Sequence, residues 1–312
     1  MNYFFAVIIP YSAAAIFLVG IVCRMMRWAA SPVPFRIPAT CGQQKSLDWI
    51  KSSRLDNPHS KLGVAGRLAL EVLLFRSLFR NTRADLKTGP AIVYGSSKWL
   101  WLGSLAFHWS FLFVLVRHLR FFTEPEPRFI LWMQNLDGFF QVGIPVLFIA
   151  DVVLLSALTF LFVRRLVDSK LRYISLAADY IPLLLIGFVA FTGILMRHIY
   201  KVDLREIKEF GMNLVLLHPA PPQDIGILFY GHLFLVSALA AYLPFSKLMH
   251  MGGIFLSPTR NLSNNSRMRR HVNPWNYDVK VHSYPEYEDE FRTVMAEAGL
   301  PLDREEQRKA DG

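Results

Sequence analysis

Four histidines lie in or at the ends of the most apolar stretches of the sequence, and they are the residues best suited to chemistry. His108 and His118 are ten residues apart on one stretch, and His232 and His250 are eighteen residues apart on another. An imidazole is costly in hydrocarbon unless it has a partner, so a histidine within a membrane helix marks a functional site. Each iron of a bis-histidine heme takes one axial nitrogen from each of two helices. The pattern therefore predicts two non-covalent b-type hemes with these four histidines as axial iron ligands.

The spacing of the histidines predicts how they pair. Along an α-helix, His108 to His118 rises about 15 Å and His232 to His250 about 27 Å. The two helices cross the membrane in opposite directions, so we expect an inner pair, His108 with His250, and an outer pair, His118 with His232. The two rises differ by about 12 Å. Pro244 lies within the longer one, and we expect the last helix to bend there.

Long uncharged stretches predict the helices that carry the histidines. Of the residues, 53% are hydrophobic and only 19% are charged. A helix needs about 20 apolar residues to cross the hydrocarbon core of a bilayer. The sequence therefore predicts an all-α integral membrane protein with a five-transmembrane-helix bundle. The five stretches are roughly 3–23, 98–117, 138–163, 180–197 and 225–247.

Two parts of the chain lie outside this bundle, the loop 24–96 and the tail 251–312. Within the loop, the stretch 62–79 carries charges at helical spacing, which predicts an amphipathic helix at the membrane interface or against a partner. The tail has no long apolar period, and we expect extended chain with one short helix near 286–298. The expected domains are a five-helix diheme membrane domain over 1–250, which includes the loop, and a cytoplasmic partner-binding tail.

The distribution of cations predicts the orientation. Lys and Arg outnumber Asp and Glu in 24–96 and 164–179, whereas the two kinds of charge balance in 117–137 and 197–224. Cationic loops stay on the cytoplasmic side of a membrane. We therefore expect a multi-pass protein of the cytoplasmic (inner) membrane, with its N-terminus outside and its C-terminus in the cytoplasm.

Two cysteines, Cys23 and Cys41, limit the chemistry of the chain itself. Because C-x-x-C-H does not occur, covalent heme attachment is excluded. Because the cysteines form no cluster, we expect iron–sulfur chemistry in another subunit. We expect protein subunits and the lipid bilayer as partners, and no nucleic acid.

Asp151, the only acid inside a predicted span, is the candidate catalytic residue. A carboxylate in a membrane helix is expected to face the bundle interior. Proton transfer coupled to quinol oxidation, or partnership with a heme edge, is one interpretation. A protonated, hydrogen-bonded packing residue is the other, and the sequence favours neither.

Five cations near the membrane faces are candidate cofactor-binding residues, because heme propionates emerge there and Arg matches carboxylates well. The excess of cations on the cytoplasmic side explains three of them without a heme. It does not explain Arg117 and Arg120, which are therefore the better candidates for propionate binding. The other three are Arg164, Arg165 and Lys247.

Other residues near the membrane faces have two interpretations each. Arg197 and His198 end the fourth span and line either a quinone site near the outer heme or an ordinary interfacial belt, which we favour. Trp109 is a candidate to flank a porphyrin. Trp99 and Trp101 fit an interfacial aromatic belt better.

The histidine spacings resemble those of the gamma (cytochrome b) subunit of respiratory nitrate reductase, over roughly residues 1–250. The resemblance implies the ligand pairs given above, His108 with His250 and His118 with His232. The extramembrane parts resemble the DsrM family more closely, the cytochrome b subunits of a membrane complex linked to dissimilatory sulfite reduction. The motifs that carry this second resemblance are Thr40–Leu47, Leu55–Pro58, Phe75–Thr82 and Arg270–Tyr277.

The second resemblance implies electron transfer between menaquinone or menaquinol and a cytoplasmic iron–sulfur subunit of the DsrK type. It also implies a periplasmic multiheme cytochrome c, an iron–sulfur protein and a second quinone-interacting membrane protein as companions. One alternative is the cytochrome b subunit of another quinone-linked oxidoreductase, of nitrate or heterodisulfide reductase type. The other is a transporter or anchor whose histidines bind protons or metal.

Overall fold

The computed structural model describes most of the chain, and its described residues are mainly helical. This confirms the predicted all-α membrane class. The chain divides into a larger compact unit, 1–30 with 35–271, and a smaller one, 31–34 with 272–312. The motifs at 40–47 and 270–277 lie outside the described residues. The described residues are 3–31, 53–86, 92–138, 147–222, 225–265 and 281–303.

The helices and strands follow one another in a simple order. A π-helical turn, Phe4–Ile8, precedes the first helix, and short 3-10 turns follow at Leu119–Phe121, Leu243–Phe245 and Lys247–Met249. The strands are β1 (Thr82–Leu86) and β2 (Ile92–Ser96). The α-helices are α1 (Ile9–Ala29), α2 (Lys61–Leu74), α3 (Arg76–Phe79), α4 (Lys98–His118), α5 (Arg128–Asp137), α6 (Ile149–Val167), α7 (Ser169–Ile174), α8 (Ala177–His198), α9 (Leu204–Val215), α10 (Ile227–Tyr242), α11 (His250–Leu256), α12 (Pro258–Asn261) and α13 (Tyr284–Glu297).

Four helical segments of the described part are long and apolar enough to cross a membrane, where the sequence predicts five. The third predicted span falls partly on residues 139–146, which lie outside the described residues. Its described part is α6, which is as apolar as α1 and α4 but carries three charged residues, Asp151, Arg164 and Arg165. The four segments are Phe4–Ala29, Lys98–Phe121, Ala177–His198 and Ile227–Phe245.

The long helices of the larger unit pack one against the next. Helix α4 packs on α6, α6 on α8, α8 on α10, and α10 on α1. Leu154 and Leu158 of α6 and Ile186 of α8 form a buried cluster in this arrangement. Many apolar side chains face outwards instead, such as Leu18 and Phe188, both more than half exposed. An apolar outer surface of this kind is stable in lipid.

The predicted amphipathic helix over 62–79 is divided in two, which corrects the sequence analysis. Helix α2 begins after Ser60, whose hydroxyl accepts a hydrogen bond from the Gly63 amide at 3.2 Å and caps the helix. It ends at Phe75, which has the left-handed backbone conformation (φ 49°, ψ 47°), and α3 starts again at Arg76. Arg67 of α2 is buried rather than exposed on a polar face.

A β-hairpin that was not predicted from the sequence follows α3. Strands β1 and β2 pair antiparallel, from Thr82 opposite Ser96 to Leu86 opposite Ile92. The β-branched residues Ile92 and Val93 favour an extended strand. A hairpin of two short strands is only marginally stable by itself, so it is difficult to predict from the sequence alone.

The smaller unit contains α13, which confirms the short helix predicted near 286–298. Its first turn is fixed by a capping box between Ser283 and Glu286. The Glu288 side chain is buried and accepts hydrogen bonds from the Arg292 guanidinium and the Asp303 amide. These bonds hold the chain after the helix against it.

Candidate functional site

The four predicted ligand histidines lie on three helices of the larger unit. His108 and His118 lie on α4, and His232 lies in the second turn of α10. Helix α10 stops at Tyr242, and two 3-10 turns lead from there to His250 at the start of α11. This interruption confirms the bend predicted near Pro244, because proline cannot continue the α-helical hydrogen-bond pattern.

His108 and His250 are neighbours in space. Their ring centroids are 5.9 Å apart, and the two ring planes are nearly perpendicular, at 87°. Two metal–imidazole bonds of about 2 Å each put the two nitrogens about 4 Å apart, and each ring centroid lies about one ring radius further out. The separation therefore fits two axial imidazoles on one metal ion.

The Nδ1 atoms of three of the histidines are held by backbone carbonyls of their own helical segment. A carbonyl oxygen only accepts, so each Nδ1 carries the proton. The lone pair of the imidazole is then on Nε2, which none of the described hydrogen bonds uses. Ligand histidines in metal sites show this same arrangement. The bonds run from His108 to Ser104 (2.7 Å), from His118 to Val114 (2.7 Å) and from His250 to Lys247 (2.9 Å).

His232 has the same orientation through a different partner. Its Nδ1 lies 2.8 Å from the hydroxyl oxygen of Thr192 on α8. That hydroxyl also lies 2.8 Å from the Phe188 carbonyl and 3.1 Å from the Val189 carbonyl, and it donates its one proton to these acceptors. It therefore accepts from His232 Nδ1, and Nε2 is again the nitrogen left for a metal. Thr192 could not be identified from the sequence, because only the packing of α8 on α10 places it beside His232.

His118 and His232 lie at the end of the bundle opposite His108 and His250. His118 is the last residue of α4, and His232 follows the start of the antiparallel α10. The two imidazoles are within electrostatic range of each other. Among the described residues, α4 and α10 are not one of the closely packed helix pairs.

Arg117, a predicted propionate partner, is buried and joins two carboxylates. Its Nη1 atom lies 2.7 Å from Asp137 Oδ2, and its Nη2 atom lies 2.6 Å from Asp151 Oδ1. The other oxygen of Asp137 accepts the Ala150 amide at 2.7 Å. This cluster joins α4, α5 and α6 beside His118. Asp137 was missed from the sequence, because it lies just outside the predicted third span.

Two guanidiniums enclose the ring of Phe148 in the same cluster. The Cζ atoms of Arg117 and Arg197 lie 3.8 Å and 3.9 Å from the ring centroid. At that distance the two groups cannot share one face of the ring, so each covers a face. Cation–π contacts of this kind are strongest when shielded from water, and Phe148 is buried.

The remaining predicted cations have protein partners at the two ends of the bundle. Arg120 lies 3.4 Å from Gln134 Oε1 and over the Phe121 ring. Arg164 is half-buried on α6. Arg165 donates to the Ser175 hydroxyl at 2.8 Å, and Lys247 lies 2.5 Å from Asp179. Their role toward heme propionates stays a prediction, as does the favoured interpretation of Arg197 and His198 as part of an interfacial belt and not of a quinone site.

The chain has clear relatives among known proteins. The family model described as nitrate reductase gamma subunit matches residues 64–271, a range that contains all four histidines. The Hdr-like menaquinol oxidoreductase cytochrome b-like subunit of Archaeoglobus fulgidus is 42% identical over 278 residues, which cover 87% of this chain and 83% of that protein. The protein of the same name from Archaeoglobus profundus is 41% identical over 274 residues, 86% of this chain and 81% of that protein.

Proposed function

The chain belongs to the nitrate reductase gamma subunit family, and we propose that it is a membrane diheme cytochrome b subunit of a quinone-linked oxidoreductase. The observation that carries this proposal is the common orientation of the four histidines, each with Nδ1 held and Nε2 directed away. The names of the two relatives, both menaquinol oxidoreductase cytochrome b-like subunits, support menaquinol as the electron donor.

The histidines hold the two hemes in pairs in this proposal. His108 and His250 bind one heme, and His118 and His232 bind the other. Bound hemes supply one-electron transfer, with potentials set by ligands, burial and hydrogen bonds. The protein's part is to fix the imidazole planes through Nδ1 and to exclude water with the surrounding apolar helices.

Asp151 is the proposed proton acceptor for quinol oxidation near the His118–His232 pair. Its Oδ1 atom lies 2.6 Å from Arg117 Nη2, at the end of the bundle where His118 lies. Asp137 shares the same guanidinium but is engaged by the Ala150 amide as well. Asp151 therefore has the freer carboxylate of the two.

The orientation follows from the charge distribution. The cation-rich segments 24–96 and 164–179 are proposed to lie in the cytoplasm, with the N-terminus outside the cytoplasmic membrane. His108 and His250 then form the inner pair, and His118 and His232 the outer pair. Electrons from quinol oxidised near the outer pair would leave through the inner pair.

The proposed acceptor is a cytoplasmic iron–sulfur subunit of the DsrK type, within a complex of sulfite metabolism. The motifs at Leu55–Pro58 and Phe75–Thr82 support the DsrM assignment, and the Hdr-like names of the relatives support a partner related to heterodisulfide reductase. The other proposed subunits are a periplasmic multiheme cytochrome c, an iron–sulfur protein and a second quinone-interacting membrane protein. A cytochrome b subunit of another quinone-linked oxidoreductase is the alternative.

Reduction by a quinol analogue tests this function directly. The purified membrane protein is mixed anaerobically with a reduced menaquinone analogue, and the b-type α-band is followed by stopped-flow spectroscopy. The proposal predicts quinol-dependent reduction of bound heme that specific quinone-site inhibitors abolish. A heme-loaded protein that dithionite reduces and no quinol reduces would contradict it. A transporter or plain anchor would hold no heme at all.

A further inference from the structure

Extramembrane residues of the larger unit form a compact structure at the His108–His250 end. We call residues 53–80 and 257–265 the cap. Arg67 of α2 is buried at its centre and donates to the backbone carbonyls of Asp56 (2.9 Å), Arg260 (2.5 Å) and Leu262 (3.1 Å). One guanidinium thus ties the loop before α2 to the segment that follows α11. The Asn264 amide adds a hydrogen bond to the Pro58 carbonyl at 2.7 Å.

The segment after Phe75 is fixed within the cap by charged groups. Asp56 forms ion pairs with Arg76 and Arg80. Ser77 donates from its amide and its hydroxyl to Glu71, at 3.0 Å and 2.8 Å. The Arg260 guanidinium donates to the same hydroxyl at 2.7 Å. The cap therefore holds the chain on the C-terminal side of Phe75.

Two indoles of α4 fix the chain on the N-terminal side of Phe75. Trp101 Nε1 donates to the Leu74 carbonyl at 2.7 Å, and Trp109 Nε1 donates to the Leu73 carbonyl at 3.0 Å. These are among the last carbonyls of α2, which have no partner within the helix. The left-handed conformation of Phe75 is unfavourable for a residue with a side chain. It persists because both flanking segments are held.

The Phe75 side chain is directed onto a predicted heme ligand. Its ring meets the His108 ring edge to face, with centroids 4.8 Å apart and an interplanar angle of 83°. Phe107 contacts the same imidazole at 4.9 Å. With Nδ1 held by the Ser104 carbonyl, these two rings restrict rotation of the imidazole about its Cβ–Cγ bond. The cap thus reaches the ligand through one side chain.

We propose that Phe75 is a positioning residue that sets the plane of the His108 imidazole, so that the cap tunes the heme bound by His108 and His250. The inference rests on the proposed diheme function. Hydrogen bonding and packing around an axial ligand are among the means by which proteins set heme potentials. Phe75 acts through His108 and contacts no reacting atom itself. Its left-handed backbone conformation at the break between α2 and α3 explains how its side chain reaches the imidazole.

The test compares conservative variants in the heme-loaded protein, purified with its native subunits. Phe75→Leu keeps an apolar side chain at the left-handed position but removes the ring edge. Trp109→Phe removes the hydrogen bond to Leu73 and keeps an aromatic ring. Trp132→Phe is the control, because Trp132 is exposed on α5, outside the cap. Low-temperature EPR and potentiometric titration resolve the two hemes, and His250→Ala identifies which signals belong to the pair with His108.

The proposal predicts that Phe75→Leu shifts the EPR gmax and the midpoint potential of that heme only. Trp109→Phe should shift the same signals by less, and Trp132→Phe should shift neither heme. Unchanged signals in a fully heme-loaded Phe75→Leu protein would overturn the inference, as would equal shifts of both hemes. If Phe75→Leu does not assemble, the Trp109→Phe result decides by the same criteria. If the unmodified protein holds no heme, both this inference and the proposed function are contradicted. If the heme signals of Phe75→Leu are unshifted, only this inference is contradicted.

Discussion

At the scale of single residues, the proton positions on the four imidazoles explain how an apolar bundle keeps nitrogen ligands available. Three carbonyls and one threonine hydroxyl accept the Nδ1 protons. Each bond also restricts the rotation of its imidazole ring. A histidine that was only a packing residue would gain as much from a bond through either nitrogen.

Thr192→Val should weaken the heme bound by His118 and His232 and leave the other heme in place. Valine keeps the shape of threonine but cannot accept the Nδ1 proton of His232, so the imidazole loses its orientation. Loss of a partner of this kind costs about 10- to 100-fold in metal affinity. Heme content and heme titration of the purified protein measure the effect.

Thr159→Val is the matched control, because Thr159 lies on the exposed face of α6, away from the histidines. It should retain both hemes with unchanged affinity. Equal heme loss in the two variants would show that the threonine hydroxyl supports the helices generally and not His232.

Asp151→Asn and Asp137→Asn should separate proton transfer from packing. Each removes one of the two carboxylates on the buried Arg117, and breaking a buried ion pair costs about 3–5 kcal/mol when a charge is left unpaired. The remaining carboxylate reduces that loss, so we expect similar, moderate destabilisation in both. Only Asp151→Asn should also slow quinol-driven heme reduction, as measured by stopped-flow spectroscopy at matched heme content.

Equal slowing in the two variants would assign Asp151 to packing.

The sequence alone identified Asp151, because a single acid in a long apolar stretch stands out. It did not identify Asp137, whose position beside Arg117 depends on how α5 returns to the end of α4. The pairing of a buried arginine is set by long-range packing, which local hydropathy does not record.

At the scale of elements, the interruption around Pro244 lets α10 and α11 present two histidines at matched depths with α4. Helix α1 packs directly against it. An ideal Cβ on Gly20 would lie 2.6 Å from Pro244 Cβ, and the Arg24 guanidinium donates to the Pro244 carbonyl at 2.7 Å. The bend is therefore supported by a neighbouring helix and does not depend on proline alone.

Gly20→Ala should loosen the heme bound by His108 and His250 before the other. The added methyl group must displace the Pro244 turn, and overpacking of this kind costs about 1–3 kcal/mol. Since the turn leads to His250, the displacement moves a ligand. Thermal loss of each heme, followed by absorbance, measures the effect. Gly187→Ala in α8 is the control, because a Cβ there meets nothing within 4 Å. If Gly20→Ala and Gly187→Ala retain each heme equally well on heating, the account is refuted.

The cap should open at low pH. The hydrogen bond from Arg76 holds the pKa of Asp56 well below its ordinary value. A lowered folded pKa means that Asp56 stabilises the cap fully above its unfolded pKa of about 3.9 and loses this contribution as the pH falls toward the folded value. The protection of the α2 amides against hydrogen exchange, corrected for the intrinsic pH dependence of exchange, should therefore fall below about pH 4.

The α2 amides of Asp56→Asn should be less protected against hydrogen exchange at neutral pH, and their protection should show no such dependence on pH. Asp168→Asn, which changes an N-cap on α7, should leave α2 exchange unaltered at every pH. An acid-induced opening that survives in Asp56→Asn would assign the effect to other carboxylates. The long apolar helices and the interruption near Pro244 were predictable from apolar length and one proline, whereas α5 and α9 lie in segments predicted to be loops. The helix break at Phe75 was not predictable, because it depends on hydrogen bonds from Trp101 and Trp109. The hairpin was not predictable either, because it depends on pairing between two strands that residues 87–91 separate.

At the scale of the whole molecule, the proposed ligand pairs lie at opposite ends of one bundle, and the hemes they are proposed to hold would make a path for electrons across a membrane. The path needs a quinol at one end and an acceptor at the other. Hydrogen bonds within the cap join the chain before α2 to the chain after α11. The end with His108 and His250 therefore has an ordered surface on which an acceptor subunit can dock. Part of the motif evidence for that partner, at 40–47 and 270–277, lies outside the described residues.

The number and assignment of hemes test the central claim most directly. A pyridine hemochrome assay of the purified protein should give about two b-type hemes per chain, one for each histidine pair. His118→Ala and His232→Ala should each lose the same heme, and His108→Ala and His250→Ala should each lose the other, as EPR identifies them. A folded, colourless protein would contradict the account, as would variants of one pair that lose different hemes.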